Sequence, residues 1–191
     1  MSPDLLELSV AWAKIKYQMP EDQRVKAFES LNEKAAAMVE ANPGQAEPLV
    51  WQAIILSTTA GEKGGLGALS LVKKAKKLLD RAEAIDPQVL DGSVYTSLGS
   101  LYYQVPGWPL GFGDDDKAES YLKKALAVNP DGMDPNYFYG DYLLQEKEYA
   151  EAAAAFEKAL AAPAREGRPV ADAGRREEIE AALAKVKSAM H

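Results

Sequence analysis

The sequence predicts an all-α chain, with about four helical hairpins stacked in a single domain over residues 1–191 and a terminal helix closing the stack. Three observations carry this. Apolar residues recur at spacings of three and four among abundant Ala, Leu, Glu and Lys, and strand signals are nearly missing. Asn42-Pro43, Asp86-Pro87 and Asn129-Pro130 each close a helix, because proline cannot continue one and pushes the residue before it out of helical conformation. These prolines lie 44 and then 43 residues apart, with Pro163 a further 33 on, and such a period is the sign of stacked helical hairpins.

The elements follow in order. The pattern around Trp12–Tyr17 predicts a helix over 3–18, and that around Val25–Glu40 one over 21–41, ended by Pro43. A second hairpin pairs 46–60, carrying Trp51, with 67–85, carrying Ala75, Leu79 and Ala82 before Pro87. Between them "GEKGGLGALS" reads as an elongated turn, with Gly supplying its unusual backbone angles. The third hairpin is 92–104 with 115–128, joined by "VPGWPLGFGDDDKAE", which cannot be helical before Asp114. The fourth is 134–146 with 148–162. After "PAREGRPVADAG", Ile179, Leu183 and Val186 put one apolar stripe on a helix over 173–189, as suits the cap of an exposed solenoid end.

Small residues at Gly99, Ala118, Ala125, Gly140, Ala152 and Ala159 allow close helix approach, and Tyr102, Leu122, Tyr149 and Phe156 fill the spaces left. The order Tyr95, Leu98-Gly99, Tyr102, then Ala118, Leu122, Ala125, Pro130 resembles the tetratricopeptide repeat, with seven residues inserted between the helices. Tyr139-Gly140, Tyr149, Ala152, Phe156, Ala159 and Leu160 repeat it at nearly standard length. The resemblance covers Trp51 to Leu160 and implies a right-handed superhelix with a concave groove. Trp51, Gly64-Gly65 and "SLGSLYYQVPGWPLGFGDDDKAESYLKKAL" also resemble bacterial proteins grouped with the T component of tripartite (TRAP) transporters, and distantly the regulator-of-microtubule-dynamics family. The transporter likeness implies a periplasmic or outer-envelope protein that binds partner proteins. This chain departs from that group in lacking a lipid-anchor Cys.

Composition narrows the function. Hydrophobic residues make up 47% and charged residues 27%, the balance of a globular chain with a sizeable core. A net charge of −7 argues against nucleic acid as a general partner. No run approaches the length of a membrane span, and no basic region followed by an apolar stretch opens the sequence, so no signal peptide is expected within it. A removed leader would make the compartment periplasmic; otherwise the expectation is cytoplasmic. Cysteine is absent and His191 is the sole histidine, which excludes Ser-His-Asp and Cys-His catalysis and a His-rich metal site. No cofactor is expected, and neither is enzymatic activity.

Several stretches invite a sharper reading. Asp114, Asp115 and Asp116 suit a helix cap and dipole better than a calcium loop, whose acids alternate. Gly67 is followed by Ala68-Leu69 rather than Lys-Ser or Lys-Thr, so "GEKGGLGALS" is not a phosphate loop. Trp108 and Phe112 are expected to bury against their own hairpin, with a contact surface as the alternative. Arg165, Arg168, Arg175 and Arg176 are expected to pair with Glu166, Asp172, Glu177 and neighbouring helix ends rather than to hold an anion.

Twelve of the sixteen aromatics lie from Tyr95 to Phe156, so this half supplies most ring surface. Transferring the tetratricopeptide geometry puts Gln52, Leu56 and Thr59, then Thr96, Ser100 and Tyr103, then Tyr137, Asp141 and Leu144 on the groove face. Tyr103, Tyr137 and Asp141 are the first contacts expected there, and Trp108 and Phe112 the second. The expected function is a scaffold that holds a partner protein or peptide, as an envelope or transporter-associated adaptor. The alternative is a carrier of a small apolar ligand, with a cavity rimmed by the two inserted loops.

Overall fold

Ser2 starts the first helix by accepting a hydrogen bond from the Leu5 amide at 3.4 Å, and Pro3 follows at a position where its missing N–H costs nothing. The computed structural model describes residues 1–190, and among them it holds nine α-helices and no strand. These are α1 (Pro3–Gln18), α2 (Glu21–Ala41), α3 (Ala46–Lys63), α4 (Gly65–Ile85), α5 (Val89–Gln104), α6 (Asp115–Val128), α7 (Met133–Gln145), α8 (Tyr149–Leu160) and α9 (Pro169–Ala189). None is long and apolar enough to cross a membrane among the described residues. Packing divides the chain into two compact units, Met1–Leu90 and the remainder from Asp91.

In the first unit α3 is the central element, packed against α1, α2 and α4. Leu49, Val50, Ala53 and Ile55 of α3 are buried with Leu5 of α1 and Phe28 of α2. Trp12 meets Trp51 edge-on at 6.2 Å between ring centroids, and its indole N–H donates to Thr58 Oγ1 at 2.9 Å. The turn between α3 and α4 is not the elongated one expected. Both helices run on through "GEKGGLG", leaving only Gly64 between them. Gly64 and Gly65 take φ of 62° and 64°, so two left-handed residues reverse the chain where a loop looked necessary.

In the second unit the small residues mark where helices touch. A Cβ on Gly99 would lie 2.7 Å from Leu122 Cγ, and one on Gly140 would lie 2.9 Å from the Phe156 ring. The α5–α6 and α7–α8 pairs therefore meet as the small-to-large pattern anticipates. Helix α7 is closed by Lys147 at φ 64°, where the Lys147 amide donates to Leu144 O at 3.1 Å and the Glu148 amide to Leu143 O at 2.9 Å. That is the paired bonding of a Schellman ending, with a lysine in the position glycine favours. Helix α9 begins four residues earlier than expected, at Pro169, and buries Ile179, Leu183 and Val186.

Candidate functional site

The connection from α5 to α6 is a closed loop on a hydrogen-bonded stem. The Gly113 amide donates to Pro106 O at 3.0 Å, and the amides of Leu110 and Gly111 both donate to Gly107 O at 3.2 Å. Below them the Asp114 amide donates to Tyr102 O at 2.9 Å, while Asp114 Oδ1 caps α6 by accepting from the Lys117 amide at 3.0 Å. The aspartate run is thus a helix cap, as expected. Gly113 is required sterically, since a Cβ there would overlap the Val105 carbonyl.

The two loop aromatics part ways. Phe112 turns back onto the edge of Tyr102 at 5.7 Å, and Tyr102 in turn stacks on Tyr121 at 5.7 Å and 8°. Trp108 does the opposite of what the sequence suggests: it is 90% exposed, with Leu110 beside it at 66%. The reason is the stem. Three amide-to-carbonyl bonds within residues 106–113 close the loop, and Phe112 takes the ring position against Tyr102, which leaves Trp108 at the tip.

The residues expected on the groove face separate into distinct environments. In the second unit the Tyr103 hydroxyl donates to Asp141 Oδ2 at 2.7 Å and accepts from Gln104 Nε2 at 3.1 Å. Tyr103 is buried, and burial together with the Asp141 carboxylate pushes its phenol well above the usual range. The pair is thus brought together, as an internal tie rather than an open contact. Thr96 is buried and Ser100 half-buried, and their hydroxyls donate to Gly92 O at 3.4 Å and Ser97 O at 2.9 Å within α5. Leu144 is half-buried.

Tyr137 belongs to a different cluster. Its ring lies 4.3 Å beneath the Arg175 guanidinium and 6.0 Å from Phe156, and burial pushes its phenol up to about 12 against the opposing pull of Arg175. Arg175 is one arm of an ion network centred on Asp134. Asp134 accepts from Arg165 Nη1 at 2.5 Å and from Arg175 Nε at 2.9 Å. Arg165 also holds Asp172 at 2.6 Å, and Arg175 holds Glu178 at 2.6 Å. Burial alone would raise the Asp134 carboxyl, but the Arg175, Arg165 and Arg168 guanidiniums outweigh it and hold that carboxyl well below the carboxylate range. Arg176 donates to the carbonyls of Leu160 and Ala162, closing the end of α8. The pairing expected for the arginines thus holds for Asp172 and the helix end. Asp134 and Glu178 are the partners that sequence reasoning missed.

In the first unit, Gln52 and Leu56 of α3 do not lie on a face lined by first helices alone. They face α2 and α4, and Gln52 Nε2 donates to Asn32 Oδ1 of α2 at 3.3 Å. There they floor an open groove of about 350 Å³, whose far wall is α4. Thr59, expected beside them, is buried and donates to Ile55 O at 2.7 Å.

Among the described residues no three His, Cys, Asp or Glu side chains are gathered so as to hold a metal ion. No protein-family model and no curated protein matches this chain.

Proposed function

We propose that the chain is a non-enzymatic protein-interaction module built of tetratricopeptide-like hairpins, and that the α5–α6 loop is where it grips a partner. The repeat reading draws support from Gly99 against Leu122 and Gly140 against Phe156, which meet at the small and large positions of the pattern. One observation carries the functional reading: Trp108 stands 90% exposed, with Leu110, on a stem that Gly113, Phe112 and Asp114 lock in place.

An indole held in water forgoes about 2–3 kcal/mol of burial. A tip whose backbone is preordered recovers that energy when the indole meets an apolar pocket, and little loop entropy remains to be lost. Trp is also prominent among residues that dominate binding energy. The expected occupant is a partner protein with an apolar pocket; an envelope or transporter assembly is the setting we favour. The carrier alternative required two loops as a rim, and "GEKGGLG" is helix apart from Gly64, so that reading loses one of its supports.

The test is capture of partners from the source organism with the unaltered chain and with Trp108→Ala. The reading requires a discrete protein that the unaltered chain retains and the variant loses. Equal retention by both would remove Trp108 from the interface.

A further inference from the structure

The first unit has a groove of its own, built from residues of Met1–Leu90 alone and independent of the Trp108 reading. Helix α4 carries Lys73, Lys74, Lys76, Lys77 and Arg81 against Asp80 and Glu83, a basic helix in a chain of net charge −7. Leu71, Lys74, Leu78 and Arg81 follow one another at helical spacing along the groove wall, with Lys77 adjoining. Leu56 lies beneath as a buried floor, and the Asn32–Gln52 amide pair marks the opposite side.

The cations differ from their neighbour. Lys76 is paired with Asp80 at 2.7 Å, whereas Lys74, Lys77 and Arg81 have no carboxylate partner among the described residues. The groove is open to solvent, and the stripe from Leu71 to Arg81 runs about 15 Å at the rise of an α-helix. A small-ligand site would instead enclose most of its occupant.

We propose that this groove binds an acidic amphipathic helix of a partner protein. Leucines of the incoming helix would lie against the half-buried Leu71 and Leu78, and its carboxylates would face Lys74, Lys77 and Arg81. Apolar contact and charge pairing share the affinity, and charge also sets register and excludes basic segments.

Fluorescence polarisation tests this on the full chain with labelled fifteen-residue helical peptides that carry Leu and Glu on one face, made in all seven heptad registers. At least one register binds saturably, and its affinity falls as salt rises. Lys74→Glu and Arg81→Glu each weaken that binding by about tenfold, because like charges then meet in the contact. Lys73→Glu, on the same helix but outside the groove, alters net charge identically and leaves binding within about twofold. The proposal is overturned if no register binds, if Lys73→Glu weakens binding as much as Lys74→Glu, if a lysine-for-glutamate peptide binds equally well, or if lauric acid displaces the peptide from the groove.

Discussion

Replacing Asp134 with asparagine keeps the side chain's shape and removes its charge. The magnitude follows from the network. Arg165, Arg168 and Arg175 face Asp134, Asp172 and Glu178, so the charges balance until Asp134 is neutralised. Removing one partner from a buried pair costs about 3–5 kcal/mol. The pair is only partly buried, with the Asp134 side chain 29% exposed, and Arg165 keeps Asp172 while Arg175 keeps Glu178, so the cost falls between that figure and the range of exposed pairs, at about 2 kcal/mol. Urea unfolding followed by circular dichroism at neutral pH measures the difference. Its pH dependence carries a sign. The folded carboxyl lies below its unfolded value of about 3.9, so the stabilisation is fully present above that pH and declines as pH falls toward the folded value. The gap between the unaltered chain and the Asp134→Asn variant therefore narrows on acidification below about pH 4. A gap under about 1 kcal/mol at neutral pH, the range of exposed pairs, would refute the reasoning. So would a gap that widens in acid.

Lys147→Gly should stabilise the second unit by about 1 kcal/mol, because glycine takes the φ of 64° without the Cβ penalty; unchanged urea midpoints would contradict the Schellman assignment. Gly113→Ala should cost about 1–3 kcal/mol and speed hydrogen exchange at the Gly113 and Asp114 amides, because the new methyl group forces the stem open; undisturbed exchange would show that the stem does not fix the loop.

Most of the helical framework is legible in the sequence. Proline stops at Pro43, Pro87 and Pro130 and the apolar period place all nine helices to within a few residues. The misreadings share a physical cause: local composition does not report what lies across the fold. "GEKGGLG" looks like a loop because Gly is a poor helix former. Each exposed Gly costs a helix only about 1 kcal/mol, and α3 and α4 absorb Gly61 and Gly67 by packing on each other. Hydrophobicity alone puts Trp108 inside, whereas the loop closed by the Gly113–Pro106 bond, with Phe112 on Tyr102, leaves it exposed at the tip.

Asp134 looks like an ordinary first-turn acid of α7. Its arginines lie 31 and 41 residues onward, so only the assembled unit makes it the centre of a network. Tyr103 and Asp141 do come together, but their mutual hydrogen bond turns an expected contact surface inward. The groove on α4 does have a signal, since Leu71 and Leu78, like Lys74 and Arg81, are seven residues apart on one helical face. What periodicity does not supply is α2 as the opposite wall.

The central claim is that Trp108 is a partner anchor rather than an incidental surface side chain. Its most direct test is a photo-crosslinking amino acid placed at position 108 in the source cell, with position 66 as control, because Leu66 is equally exposed at 92%. The account predicts a discrete protein adduct at 108 that is absent at 66. Matching adducts at both positions, or no protein adduct at 108, would contradict it.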